Sequence, residues 1–292
     1  MGHPDMRMCC VLACDAGFFH QLLACIGTIE AARPALAGID LDIAVVAIDL
    51  TEPQIATLKD KGVIIHDRLS EFPRFSGAPK HAYALTCRPF MPEFLPGYDG
   101  YLWVDSDIRF LHLDGLRYYA EALRVESASV ILVQETEPCY TFNRDPKVAR
   151  FFHATLAGRL ASVYGEEVAE YCRYFTPFNA GLFAARASSP IWARYRRNLH
   201  KALRVPYDNM LEQDALNVAI HETGGHVRAP SPLNWLCSLA FPTRRSDGAW
   251  CSPENWAQPI LVAHLTNSTS PVANAHGKAT YYDLYRQAGL TA

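Results

Sequence analysis

An α/β fold with a parallel sheet is predicted by three features of the sequence. The first half alternates short apolar runs with stretches of helical periodicity, Pro and Gly punctuate the junctions, and the sharpest apolar run ends in two aspartates. Met8–Ala13 reads as the first strand. Phe18–Ala32 carries apolar residues at helical spacing and stops at Arg33-Pro34, because the residue before a proline is pushed out of the helical region. Leu41–Ile48, rich in Val and Ile, reads as the second strand, Glu52–Lys61 as a helix ending at Gly62, and Val63–Ile65 as the third strand. Lys80–Phe94 reads as a helix disturbed near Pro89 and Pro92. Tyr101–Val104 is the fourth strand and runs into Asp105-Ser106-Asp107. In the second half, Val130–Val133, Ala180–Ala184 and Ile260–His264 are expected strands; Lys147–Tyr164, Pro190–Leu203, Asn209–Glu222 and Tyr281–Ala288 are expected helices. Residues 223–259 read as Pro- and Gly-containing loops. Without a repeat or a polar linker, one domain over residues 1–292 is expected.

The composition excludes several classes. Half of the 292 residues are apolar and a fifth are charged, which is ordinary globular composition. A net charge of −3 argues against a basic nucleic-acid binder. Nine cysteines form no Cys-x-x-Cys pair, and no Cys or His cluster follows Cys10 and Cys14 at zinc-site spacing. They read as buried small hydrophobes in a reducing compartment. The run Met8–Ala13 is too short for a secretory signal, and no apolar stretch reaches bilayer-spanning length, so a soluble cytoplasmic protein is expected.

Four segments carry the chemistry. In extended chain, positions i and i+2 point to one side, so Asp105 and Asp107 can face one cleft at the carboxyl end of the sheet. Two carboxylates so placed repel unless a hard divalent cation lies between them. A solvated turn capped by Asp107 is the plain alternative. Asn179-Ala180-Gly181 opens the next apolar strand with an amide and two small residues, which allow close backbone approach to a ligand; an ordinary turn would look the same. On the helix around Gln213, the residues Asp214, Asn217 and His221 form a narrow polar stripe at i, i+3 and i+7, which points to a cleft rather than to open water. An amphipathic edge is the other reading. Finally, the strand Ile260–His264 ends in an imidazole, a third ligand if the carboxylates bind metal and a structural histidine if they do not. A mixed oxygen and nitrogen set favours Mn²⁺ over Mg²⁺ or Ca²⁺.

Taken in this order and spacing, the set resembles the retaining glycosyltransferases of family 8, which include bacterial lipooligosaccharide galactosyltransferases and glycogenin. The resemblance runs from Met8 to about Lys278. It implies the GT-A fold, a Rossmann-like domain with a mixed, mainly parallel sheet flanked by helices. Residues to about 110 would form the nucleotide-binding half, and residues from about 111 the acceptor and donor-sugar half. The activity implied is transfer of a sugar from a nucleotide sugar, UDP-linked, to a hydroxyl of a saccharide, glycolipid or small molecule, with a Mn²⁺ or Mg²⁺ cofactor. By the same resemblance, Ala13 and Asp15 contact the uridine nucleotide and Arg88 lies near the donor. Asp105, Asp107 and His264 hold the metal, and Ser106 meets the ribose through its backbone. Asn179 and Ala180 contact the donor sugar, Gln213 lies beneath the anomeric carbon, and Asp214 binds sugar hydroxyls. Asn234-Trp235 matches the segment before the last strand. The family follows its metal histidine with Gly at +3, Lys at +6, then Pro and Trp; here Asn267, Ser270, Pro271 and Val272 stand there. Lys278, or donors of Thr266–Ser270, would then take over the diphosphate clamp. Two other readings use the same residues: a nucleotidyltransferase making sugar nucleotides, although Cys14–His20 holds one glycine and no Lys or Arg, and a catalytically silent nucleotide-sugar-binding protein.

Overall fold

The computed structural model describes residues 6–125, 130–172 and 175–266. In chain order these fold into β1 (Met6–Cys14), α1 (Phe19–Ala32), β2 (Ile39–Ala47), α2 (Glu52–Asp60), β3 (Ile64–His66), the short turns α3 (Tyr83–Thr86) and α4 (Met91–Phe94), β4 (Gly100–Val104), β5 (Ile108–Phe110) and α5 (Leu113–Val125). There follow β6 (Val130–Gln134), α6 (Thr141–Arg144), α7 (Pro146–Tyr164), α8 (Glu166–Cys172), β7 (Phe178–Arg186), α9 (Ile191–Ala202) and α10 (Leu211–Thr223). The last elements are β8 (His226–Ala229), β9 (Trp235–Leu236), β10 (Thr243–Arg244), β11 (Trp250–Ser252), β12 (Asn255–Pro259) and β13 (Val262–His264).

A seven-stranded sheet in the order β3-β2-β1-β4-β7-β6-β8 forms the centre. Its first four strands are mutually parallel, β7 runs antiparallel to both neighbours, and β8 returns parallel to β6. This is the mixed, mainly parallel sheet that the resemblance implies, with β7 departing from the parallel order read from the strand–helix alternation. The inner strands are apolar on both sides because both sheet faces are covered. One face packs on α1 and α5 through Leu22, Ile26, Ile29, Leu116, Tyr119 and Leu123. The other packs on α9, α10 and the segment around α3 and α4, through Trp192, Tyr195, Leu199, Leu211 and Leu216 among others. A third apolar cluster, with Tyr140, Phe142, Trp235 and Trp250, joins α6 to β9 and β11.

The chain punctuation works as its chemistry requires. Gln54 reaches back to accept from the Thr51 N–H at 2.9 Å and starts α2. Gly224 closes α10 in the left-handed region at φ 72°, a conformation that favours glycine. All nine cysteines are buried and unpaired. Among the described residues no helix is long and apolar enough to cross a membrane.

Three expectations are corrected. Residues 80–94 are not one helix but four short helical turns, with breaks beside Pro89 and Pro92. Residues 223–259 are not only loops: β8 extends the main sheet, and β9 to β12 build two small sheets. The helix α5 was not anticipated, although Leu116, Tyr119, Ala120 and Leu123 repeat at helical spacing and are buried. The closing helix Tyr281–Ala288 falls outside the described residues.

Two pairings position the site. The β4–β7 ladder sets Val104 opposite Leu182, which brings the Asp105 N–H to the Gly181 carbonyl at 2.8 Å. The small sheet β5-β13-β9 sets Ile108 opposite His264, and the Leu265 N–H donates to the Asp107 carbonyl at 3.1 Å. Gly115 lets α5 lie against β13, since a Cβ there would meet Val262 Cγ2 at 2.7 Å.

Candidate metal and donor site

The two aspartates occupy the turn between β4 and β5 at the carboxyl end of the parallel strands. Each is about a quarter exposed, Asp105 at 26% and Asp107 at 25%, while His264 at the end of β13 is buried. One carboxylate oxygen from each aspartate and one imidazole nitrogen lie within 4.8 Å of one another. His264 Nε2 stands 3.3 Å from Asp107 Oδ1 and 3.8 Å from Asp105 Oδ2. Donors bound at right angles around a small hard cation sit about 3 Å apart, so this spacing suits one ion. The glycine opposite supplies the room. A Cβ at Gly181 would collide with His264 Cε1 and lie 2.7 Å from Asp105 Oδ2. At Gly181 the side-chain alternation of β7 also slips. Phe178 and Ala180 share an apolar layer with Phe183 and Ala185, and the register against β6 is irregular there.

Asp105 has its spare oxygen tied down. Asp105 Oδ1 accepts from Arg88 Nη2 at 2.6 Å and from Trp103 Nε1 at 2.8 Å, which leaves Oδ2 for the cluster. Arg88 is only 4% exposed; its other amino group pairs with Glu212, and its guanidinium lies 5.0 Å from the Trp103 ring centre. The expected donor-side arginine is thus a brace for Asp105. Burial alone would raise the Asp107 carboxyl, but His264 and then Arg109 outweigh it and hold it below the usual range. Burial would lower the His264 imidazole, but Asp107 and then Asp105 raise it. Arg109 is fully buried beneath the turn, donating to the carbonyls of Ser106 and Ile108 and to Gln21 Oε1 at 2.6 Å.

The other expected residues lie on β1, β7, α10 and the turns beside them. Ser106 Oγ donates to the Ala13 carbonyl at 2.8 Å, joining the ends of β1 and β4. Asp15 follows β1, and its carboxylate accepts from the Phe18 N–H at 3.0 Å. Asn179 accepts from the Gly181 N–H and donates to Glu135 Oε1, both at 3.0 Å. The Ala180 N–H donates to Gln213 Oε1 at 3.0 Å. Asp214 has both oxygens on Arg159, at 2.8 and 3.2 Å, and is 3% exposed. The polar stripe lines a small recess shared with Leu156, Leu160, Cys172 and Phe175, not the aspartate cluster. Asp214 links α10 to α7, Asn217 bonds the Phe178 N–H and carbonyl, and the His221 ring packs on Phe175 at 4.1 Å. Lys278 and the departures at Asn267, Ser270, Pro271 and Val272 lie outside the described residues.

Sequence reasoning passed over Glu135, Arg109 and Glu212. A charge inside the apolar run Ile108–Leu111, and acids directly after the strand at 130–133 or beside Gln213, were the available signals. Burial pushes the Glu212 carboxyl up to about 8 against the pull of Arg88, and pushes Glu135 up to about 7 against its bond from Asn179.

No family model matches the sequence, and no curated protein matches it. The fold, however, is shared with solved glycosyltransferases. WbbM, a bifunctional glycosyltransferase solved in its apo form, superposes with a TM-score of 0.61 at 16% identity over 98% of this chain; the match covers 50% of WbbM, so this chain spans half its length. LgtC, a galactosyltransferase solved with donor and acceptor sugar analogues, gives 0.57 at 18% identity, over 98% of this chain and 97% of its own. Mouse xyloside xylosyltransferase 1, in its apo form, gives 0.55 at 13% identity, over 90% of this chain and 99% of its own. The chain has the GT-A fold.

Two measurements probe this geometry. Gly181→Ala should weaken Mn²⁺ binding at least tenfold in calorimetric titration and cost about 1–3 kcal/mol of stability from overpacking; unchanged affinity would show that the cluster does not depend on this gap. Glu135 favours folding below its ordinary value near 4.5, and that contribution is lost as pH rises through about 7. Stability of the wild type relative to Glu135→Gln should therefore fall, by on the order of 1–3 kcal/mol, between pH 4 and pH 8. Denaturant titrations across that range check the slope.

Proposed function

We propose that this chain is a divalent-cation-dependent glycosyltransferase. It moves a sugar from a nucleotide sugar, UDP-linked, to an acceptor hydroxyl with retention at the anomeric carbon. The convergence of Asp105 Oδ2, Asp107 Oδ1 and His264 Nε2 at the sheet's rim, beside the gap at Gly181, carries the reading. The fold shared with LgtC, which was solved with donor and acceptor sugar analogues, supports it.

Asp105, Asp107 and His264 would hold the cation, with Mn²⁺ favoured by the mixed donor set and Mg²⁺ the alternative. When bound, such an ion acts as a Lewis acid on the diphosphate leaving group. The protein's own residues do the rest. Arg88 and Trp103 keep Asp105 Oδ2 turned to the cluster. Ser106 holds the Ala13 carbonyl in place beside the nucleotide-binding turn of Asp15. Asn179 and Ala180 form the floor under the donor sugar. Because the Ala180 N–H fixes which end of the Gln213 amide is oxygen, a second lone pair of Oε1 remains for the positive charge that develops at the anomeric carbon. An amide is a poor nucleophile, so no covalent intermediate is assigned to Gln213. Asp214 keeps this helix in place through Arg159. Lys278 would assist at the diphosphate.

The deciding experiment is a donor screen with Mn²⁺ and UDP-, GDP- and TDP-sugars, scoring released nucleoside diphosphate. Release only with UDP-sugars is expected. Pyrophosphate from a nucleoside triphosphate would indicate nucleotidyl transfer instead, and donor binding without turnover a silent binding protein. Asp105→Asn keeps acceptors for Arg88 and Trp103 but loses charge. It should abolish Mn²⁺-dependent UDP binding with unchanged circular dichroism, and wild-type affinity would reject the metal role. Gln213→Ala should lower turnover about 100-fold while donor affinity stays within a few fold; a wild-type rate would remove Gln213 from the reaction centre.

A further inference from the structure

A continuous chain of buried hydrogen bonds leads from β7 to the imidazole. It starts at a donor whose polarity is certain, the Gly181 backbone N–H, which reaches Asn179 Oδ1 at 3.0 Å. That bond fixes the Asn179 amide, and its Nδ2 accordingly donates to Glu135 Oε1 at 3.0 Å. The Asn234 amide approaches the same Asn179 oxygen at 3.0 Å and can do so only through its own Nδ2. Asn234 Oδ1 is then the atom facing His264 Nδ1 at 3.1 Å. An acceptor there requires a proton on Nδ1. The neutral ring therefore keeps its lone pair on Nε2, the atom beside Asp105 and Asp107. Asn234 is fully buried, and His264 and Asn179 are nearly so, so water does not compete for these bonds.

We propose that Asn234 is a positioning residue. Polarised through Asn179 by the Gly181 N–H, it holds His264 as the Nδ1–H tautomer and so presents the Nε2 lone pair to a divalent cation. The hydrogen bond made by one ring nitrogen decides which nitrogen is free to bind metal, and partners of this kind commonly change metal affinity by 10–100-fold. The inference rests on the cation reading of the cluster, but the tautomer can be read without any cation. It also gives Asn179 a structural duty that the sequence did not suggest, since its amide oxygen serves both Gly181 and Asn234.

Histidine-labelled full-length protein, metal-free and at alkaline pH, should show His264 protonated on Nδ1 by ¹⁵N NMR. Asn234→Leu should lose that tautomer preference and bind Mn²⁺ 10–100-fold more weakly without nucleotide, with its thermal midpoint shifted only modestly. Asn234→Asp gives up the bond to Asn179 but keeps an acceptor toward Nδ1, so it should keep the Nδ1 proton of His264 and bind Mn²⁺ more tightly than the leucine variant; the retained Nδ1 proton also decides the matter if the leucine variant fails to fold. A neutral His264 protonated on Nε2 in the wild type, or Mn²⁺ affinity lost equally in the aspartate variant, would overturn the proposal. Wild-type protein that shows the Nδ1–H tautomer yet binds no Mn²⁺ would remove the cation reading and with it the metal-presenting role of Asn234.

Discussion

The site is governed by the repulsion of two carboxylates that the backbone forces together. At separations under 4.8 Å, like charges at an effective dielectric of 20 repel by about 3–4 kcal/mol. The fold answers with positive charge on each flank. Arg88 braces Asp105 on one side, Arg109 lies beneath Asp107 on the other, and His264 faces both. Arg88, Asp105 and Arg109 are each held by further backbone or side-chain partners, which limits how far the cluster can relax. What remains is two carboxylate oxygens and one imidazole nitrogen directed at one point.

The helix α10 shows how the surrounding scaffold is specified. Glu212, Gln213, Asp214 and Asn217 are all buried, and all are bound: to Arg88, to the Ala180 N–H, to Arg159, and to the backbone of Phe178. Burying so many polar groups is unfavourable unless each finds its partner. A helix rotated or shifted by one residue would strand all of them, so the hydrogen bonds select one register of α10 against β7. Gln213 is placed by that selection and by its own bond to Ala180.

The first half of the fold was legible because its strands are long, apolar and separated by helices with clear stops, as in β1, α1, β2 and α2. The strands β8 to β12 were not, because segments of two to five residues with mixed polarity carry no periodicity of their own. β8 and β9 pair because the main sheet and β13 present edges to them, whereas β10 to β12 pair with one another. The residues aligned along the sheet rim, Asp105, Asp107, Asn179, Gln213 and His264, could be singled out from residue type and place in the pattern. The duties of Arg109, Glu135, Glu212 and Asn234 could not, since each is defined by a bond to a residue far away in sequence. The inward turn of Asp214 is the same lesson in reverse: a polar stripe on a helix does not say whether water or an arginine from α7 will meet it.

The pairing of Ile108 with His264 joins positions more than half the chain apart. Contacts of such long loop closure form late, after the loss of chain entropy has been offset elsewhere. A ribosome-bound chain can thus complete the strands from β1 to β4 while it still lacks an imidazole to finish the cluster. The three-residue cluster is thus complete only once β13 has paired with β5.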